Sequence, residues 1–162
     1  EETRKVAERC RTEGYSVVKF GWGPLGLDSL ETDVALVAAA REGLGSDIAL
    51  CVDAGTIYKR DAAAALQRAH AFAPYDLLFL EEPVLQEAIS SYAEIVAGSP
   101  VRIAGGEGSD TVRMAEVRTP LSSTGGYMPS SQKSATSRNA RSHCRRSHCL
   151  KCRCFCLWKG FH

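Results

Sequence analysis

Three acidic residues stand at the ends of three successive apolar runs: Asp53 closes DIALCVD, Glu81 lies in DLLFLEEP and Glu107 closes VRIAGGE. They are 28 and 26 residues apart, a spacing close to one strand-plus-helix unit. Groups at the C-terminal ends of parallel barrel strands converge on one mouth. Three carboxylates gathered there repel one another unless a cation shares the site. Hard oxygen donors, with positions left for water and substrate, suit Mg²⁺. Asp53, Glu81 and Glu107 are therefore the candidate metal ligands. Any one of these acids could instead cap the next helix or pair with an arginine, but three successive strand ends favour a metal.

Lys19 is the further candidate. It interrupts the β-branched and aromatic run SVVKF at 16–20, where a charge is costly without partners. It is read as an active-site group, with a structural ion pair to one of the strand-end acids as the alternative. Glu82 follows Glu81 directly, and neighbours on a strand face opposite ways, so it is expected to be an outward-facing partner rather than a ligand. His70 falls on a helical pattern and reads as a surface or packing residue. The glycines of GWGPLG at 21–26 lack the Lys-Ser/Thr that a phosphate loop needs and read as a strand-to-helix turn.

The elements that must position these residues are legible from periodicity. Strands are expected at 16–20, 47–53, 76–83 and 101–107. Helices are expected from a cap at Asp28 or Ser29 to Leu44, from Lys59 to Phe72, near 86–96, and from Thr111 to Val117. In the first of these, Val34, Leu36, Val37 and Ala40 form the apolar side, and Gly43 and Gly45 bracket its end. The opening EETRKVAERC reads as the middle of an amphipathic helix, so the chain is expected to begin inside a fold. Strands each followed by a helix argue for an α/β fold of parallel βαβ units.

The order VKFGWGPLG, VDAG, LEEP, AGGE resembles the mandelate racemase/muconate lactonizing enzyme family of the enolase superfamily, over about residues 1–117. The resemblance implies a partial (β/α)8 barrel containing about its second to fifth strands, with Mg²⁺ on Asp53, Glu81 and Glu107. It implies abstraction of the proton α to a substrate carboxylate, and a metal that stabilises the enediolate so formed. Lys19 matches the first lysine of the family's Lys-x-Lys motif, and Gly21 stands where the second, usually the base, would be. That departure favours an acid-sugar dehydratase, a lyase taking its base from a later strand, over a racemase or cycloisomerase. Lys19 would then bind the carboxylate of a small sugar-acid substrate, and the full-length parent is expected to be a homo-oligomer.

Charge divides the chain. Residues 1–117 hold all 19 acidic residues and 11 of the 20 basic ones, a formal charge of −8, whereas 118–162 hold nine basic residues and no acid. Five of the seven cysteines, Cys144, Cys149, Cys152, Cys154 and Cys156, lie in that basic tail, which shows no sustained period and is expected to be irregular. A non-catalytic protein acting through the tail, by zinc or nucleic-acid binding, is the rival reading, although a second zinc-knuckle pair is missing. Out-of-frame reading of a GC-rich gene accounts better for a Ser/Arg/Cys-rich tail of this kind.

A complete eight-stranded barrel needs about 250 residues, more than the 162 here. The chain is expected to leave two sheet edges unpaired and to be inactive or poorly folded alone. No apolar run reaches the length of a membrane span, the N-terminus lacks a signal-peptide core, and two cysteines in the body argue against a disulfide framework. The expected compartment is the cytoplasm.

Overall fold

The computed structural model describes residues 1–21 and 23–107, together with two short strands at 127–129 and 154–156. Helix α1 (Glu2–Thr12) leads into β1 (Val17–Gly21), then α2 (Leu30–Leu44), β2 (Ala49–Asp53), α3 (Ala62–Phe72), β3 (Leu77–Glu81), α4 (Ile89–Gly98) and β4 (Ile103–Gly105). Strands β5 (Tyr127–Pro129) and β6 (Cys154–Cys156) complete a six-stranded sheet of order β5-β4-β3-β2-β1-β6. Every pairing is parallel.

The order β1 to β4 follows the chain, and the helices share one face of the sheet. Val18, Leu50, Val52, Leu80 and Ile103 meet Val37, Ala40, Leu44, Ala65, Ala69, Phe72 and Ile95 in a single apolar core. Cys51, Phe79 and Ala104 form a smaller cluster of their own. Sequential parallel strands with all helices outside are the arrangement of a (β/α) barrel wall, rather than of an open sheet wound on both sides. The expected partial barrel is thus present.

Local chemistry sets the element ends. Ser29 caps α2 by accepting the Thr32 N–H, and Gly45, at φ 72, ends it. The third helix starts at Ala62 rather than Lys59, because Lys59 adopts φ 53 and the Asp61 carboxylate caps the Ala64 N–H at 2.9 Å. Strand β3 is shorter than 76–83: Asp76 turns the chain at φ 49, and Pro83 has no N–H to offer a ladder. The fourth helix begins at Ile89, after the Leu85 N–H has bonded Lys59 O at 2.7 Å. Gly43 lets α1 and α2 touch, since a Cβ there would lie 2.6 Å from that of Ala7.

Strand β1 pairs with β6 and β4 with β5, so the two outer strands of the sheet are β5 and β6. Both short strands come from the stretch read as irregular. The rest of that stretch, and the helix expected at 111–117, lie outside the described residues.

Candidate functional site

Across the ladder, Gly21 of β1 faces Asp53 of β2, and Asp53 faces Glu81 of β3. Lys19 lies two residues before Gly21, on the same face of the pleat. That face is the one carrying Cys51 and Phe79, away from the helices. From there Lys19 Nζ reaches Glu81 Oε2 at 2.8 Å and Asp53 Oδ2 at 3.0 Å. The Glu81 side chain is 1% exposed and that of Asp53 12%. Carboxylates so far from water need an opposite charge to offset their desolvation, and one ammonium serves both.

Backbone bonds hold the strand ends in place. The N–H groups of Ala54, Thr56 and Tyr58 donate to the carbonyls of Glu81, Glu82 and Pro83 at 2.8, 2.6 and 3.2 Å, so the loop after β2 is fastened to the end of β3. Asp53 Oδ1 accepts the Gly55 N–H at 3.0 Å, an Asx-type turn that fixes its carboxylate. At Gly21 a Cβ would lie 2.6 Å from Asp53 Cβ and would also meet the Asp53 carbonyl oxygen. Gly21 is therefore a point where β1 and β2 approach more closely than a side chain allows.

Glu107 is exposed in the turn beyond β4. Among the described residues, no three His, Cys, Asp or Glu side chains gather to hold a metal ion. Asp53 and Glu81 come together on Lys19, and Glu107 stands apart on the adjoining strand end. The donor chemistry at the pair nevertheless fits a hard cation: two buried anionic oxygens already share one positive charge.

Glu82 follows the end of β3 at φ 45, and the outward-facing position expected for it is not what it takes: it is 4% exposed. It accepts the Tyr92 hydroxyl at 2.8 Å and the N–H groups of Gly106 and Glu107 at 2.6 and 3.0 Å. The doublet Glu81-Glu82 announces a residue on each face. Nothing local in sequence announces Tyr92 or the two backbone donors. A further buried acid, Asp33, has no counterpart among the residues singled out in the sequence. It accepts the Gly26 N–H at 2.7 Å and Arg68 Nε at 3.1 Å, tying the loop after β1 to α3. Its sequence signal is a lone acid on the same helical stripe as Val37, Ala40 and Leu44. His70 is exposed on α3.

A family model described as enolase C-terminal domain-like matches residues 2–141. The chain belongs to this family. Within the enolase family it is similar to the 3,6-anhydro-alpha-L-galactonate cycloisomerase of Streptomyces coelicolor, at 34% identity over 78% of this chain and 36% of that protein. It is also similar to the arabinonate dehydratase of Saccharolobus solfataricus, at 30% identity over 64% of this chain and 28% of that protein. Among solved structures it resembles a racemase from Streptomyces coelicolor A3(2) with bound magnesium: TM-score 0.65, 32% identity, covering 75% of this chain and 35% of that one. The chain spans between 25% and 36% of the length of the curated enolase-family relatives it matches. Among the described residues no helix is long and apolar enough to cross a membrane.

Proposed function

We propose that the chain carries the metal-binding side of a Mg²⁺-dependent site that removes the proton α to the carboxylate of a sugar acid. The observation that carries this reading is the convergence of Lys19, Asp53 and Glu81 at the ends of three adjacent parallel strands. Asp53 and Glu81 would hold the ion, with Glu107 as third ligand from the next strand end. Mg²⁺ supplies Lewis-acid stabilisation of the charge that builds on the carboxylate as the proton leaves. Lys19 binds and orients that carboxylate, exchanging its two protein partners for the substrate's oxygens.

Gly21 supplies no side chain, so the proton acceptor comes from another strand. This supports the loss of water from the substrate, a dehydratase outcome, over two-base racemisation. A cycloisomerase outcome is the second reading, favoured by the galactonate cycloisomerase relative, which is covered over more of its length and at higher identity than the dehydratase relative.

The test is a panel of aldonates and aldarates in D₂O with Mg²⁺, followed by proton NMR on this chain and on the longer protein that contains it. The expected result is α-deuteration or a 2-keto product with the longer protein, lost on Asp53→Asn. Equal turnover by Asp53→Asn, or an undiminished Mg²⁺ affinity in that variant by titration calorimetry, would rule the reading out.

A further inference from the structure

We propose that Glu82 is a positioning residue for Glu107: it fixes the turn after β4 that carries this carboxylate, and so governs how tightly the metal site closes. This rests on the metal reading above and names a residue that reading does not use.

Four observations carry it. Glu82 is a buried anion, and each of its carboxylate oxygens has a donor. Oε1 accepts the Gly106 and Glu107 N–H groups at 2.6 and 3.0 Å, and Oε2 accepts the Tyr92 hydroxyl at 2.8 Å. Its main chain is also engaged, its N–H donating to Ala104 O at 2.9 Å and its carbonyl accepting the Thr56 N–H at 2.6 Å. One residue thus ties together the loop after β2, the end of β3 and the end of β4. Glu82 adopts φ 45, a left-handed backbone that a non-glycine residue keeps only when its surroundings hold it there. Finally, β4 runs hard against the same assembly, because a Cβ on Gly105 would lie 2.9 Å from the Tyr92 hydroxyl.

Bonds from a carboxylate to backbone N–H groups are charge-assisted and about twice as strong as neutral ones. Glu107 itself is exposed, and its side chain makes none of these bonds. Its backbone is held by Glu82. The left-handed turn therefore divides the doublet: Glu81 pairs with Lys19, and Glu82 bonds the turn after β4. Removing Glu82 would leave Glu107 in the chain but free its turn, and a ligand that must be ordered on binding lowers affinity.

The test compares the 162-residue chain with Glu82→Ala and Glu82→Gln. Amide hydrogen exchange is read at Gly106 and Glu107, with Leu50 and Val52 of β2 as controls for global opening. Mn²⁺ affinity is read from the paramagnetic resonance of the free ion, with Mn²⁺ standing in for Mg²⁺. Glu82→Ala is expected to speed exchange at residues 106 and 107 at least about tenfold and to weaken Mn²⁺ binding by about 10–100-fold. Glu82→Gln keeps an acceptor oxygen for both N–H groups and is expected to recover most of each effect. Unchanged exchange at 106 and 107, or faster exchange with unchanged affinity, overturns the proposal. Should Glu82→Ala fail to fold, Tyr92→Phe removes one donor only and should move both readouts in the same direction by a smaller amount; no movement overturns the proposal. Mn²⁺ binding lost in Asp53→Asn but kept in Glu82→Ala overturns this proposal alone. A wild-type chain that binds no Mn²⁺, or binds it equally well as Asp53→Asn, overturns the metal reading and this proposal together.

Discussion

Lys19 of β1 donates to Glu81 of β3 at 2.8 Å, across the whole width of the intervening strand β2. A lysine manages this because the residues share the face turned away from the helices, and because its four-carbon stem carries the charge along an apolar strand surface. The bond crosses two strand spacings, so it reports on how the three strand ends are set relative to one another. On the way the same ammonium meets Asp53 at 3.0 Å.

Replacing Lys19 with methionine keeps the stem and removes the charge from two buried carboxylates. Breaking a buried ion pair on one side costs about 3–5 kcal/mol, and the 24% exposure of Lys19 places this case at the low end. Urea unfolding should show the loss. Added Mg²⁺ should restore more stability to Lys19→Met than it adds to wild type, since a dication supplies the missing charge. Equal midpoints for the two chains without Mg²⁺ would mean that the bridge contributes nothing.

Gly21→Ala tests the approach of β1 to β2. The new Cβ would lie 2.6 Å from Asp53 Cβ, and overpacking of this kind costs about 1–3 kcal/mol. The expected outcome is a lowered melting temperature together with weaker Mg²⁺ binding, because the strand that moves carries Asp53. A neutral substitution would show that the strands separate freely here.

Asp33 is fully buried, and its partner Arg68 is 13% exposed. Asp33→Ala leaves the Arg68 guanidinium without its buried partner and the Gly26 N–H without its acceptor. The expected loss is about 3–5 kcal/mol, read as a shift in the urea midpoint. Because Asp33 serves the joint between α2 and α3, Mg²⁺ affinity of the folded chain should not change.

The Tyr58 phenol is pushed up to about 12, first by burial and next by the Asp33 carboxylate, with Arg68 opposing. The folded chain therefore keeps this proton at pH values where the unfolded chain, with an ordinary phenol near 10, has released it. Stability from this group is intact below about pH 10 and is lost as pH rises through about 12. Urea midpoints measured from pH 9 to 12 should fall more steeply for wild type than for Tyr58→Phe. Parallel curves would show that Tyr58 titrates alike in both states.

Asp53, Glu81 and Lys19 could be found in the sequence because each breaks or closes an apolar run, and a charge in such a place is a local anomaly visible in one strand. The parallel order of β1 to β4 was legible for a similar reason: alternating short and amphipathic segments leave few ways to bury both. Element ends were less so. Lys59 and Asp76 adopt left-handed backbone that their residue types do not advertise, and the Asp61 cap starts α3 later than periodicity suggests.

What tertiary structure decided was which partners each charge found. The sequence determined that Lys19 needed an anion, and only the sheet register brought Asp53 and Glu81 to it together. Asp33 and Arg68 lie 35 residues apart, and Glu82 and Glu107 25, on elements whose mutual placement no local pattern encodes. Residue type fixes the cost of burying a charge. The partner that offsets the cost is fixed by the packing of helices on strands.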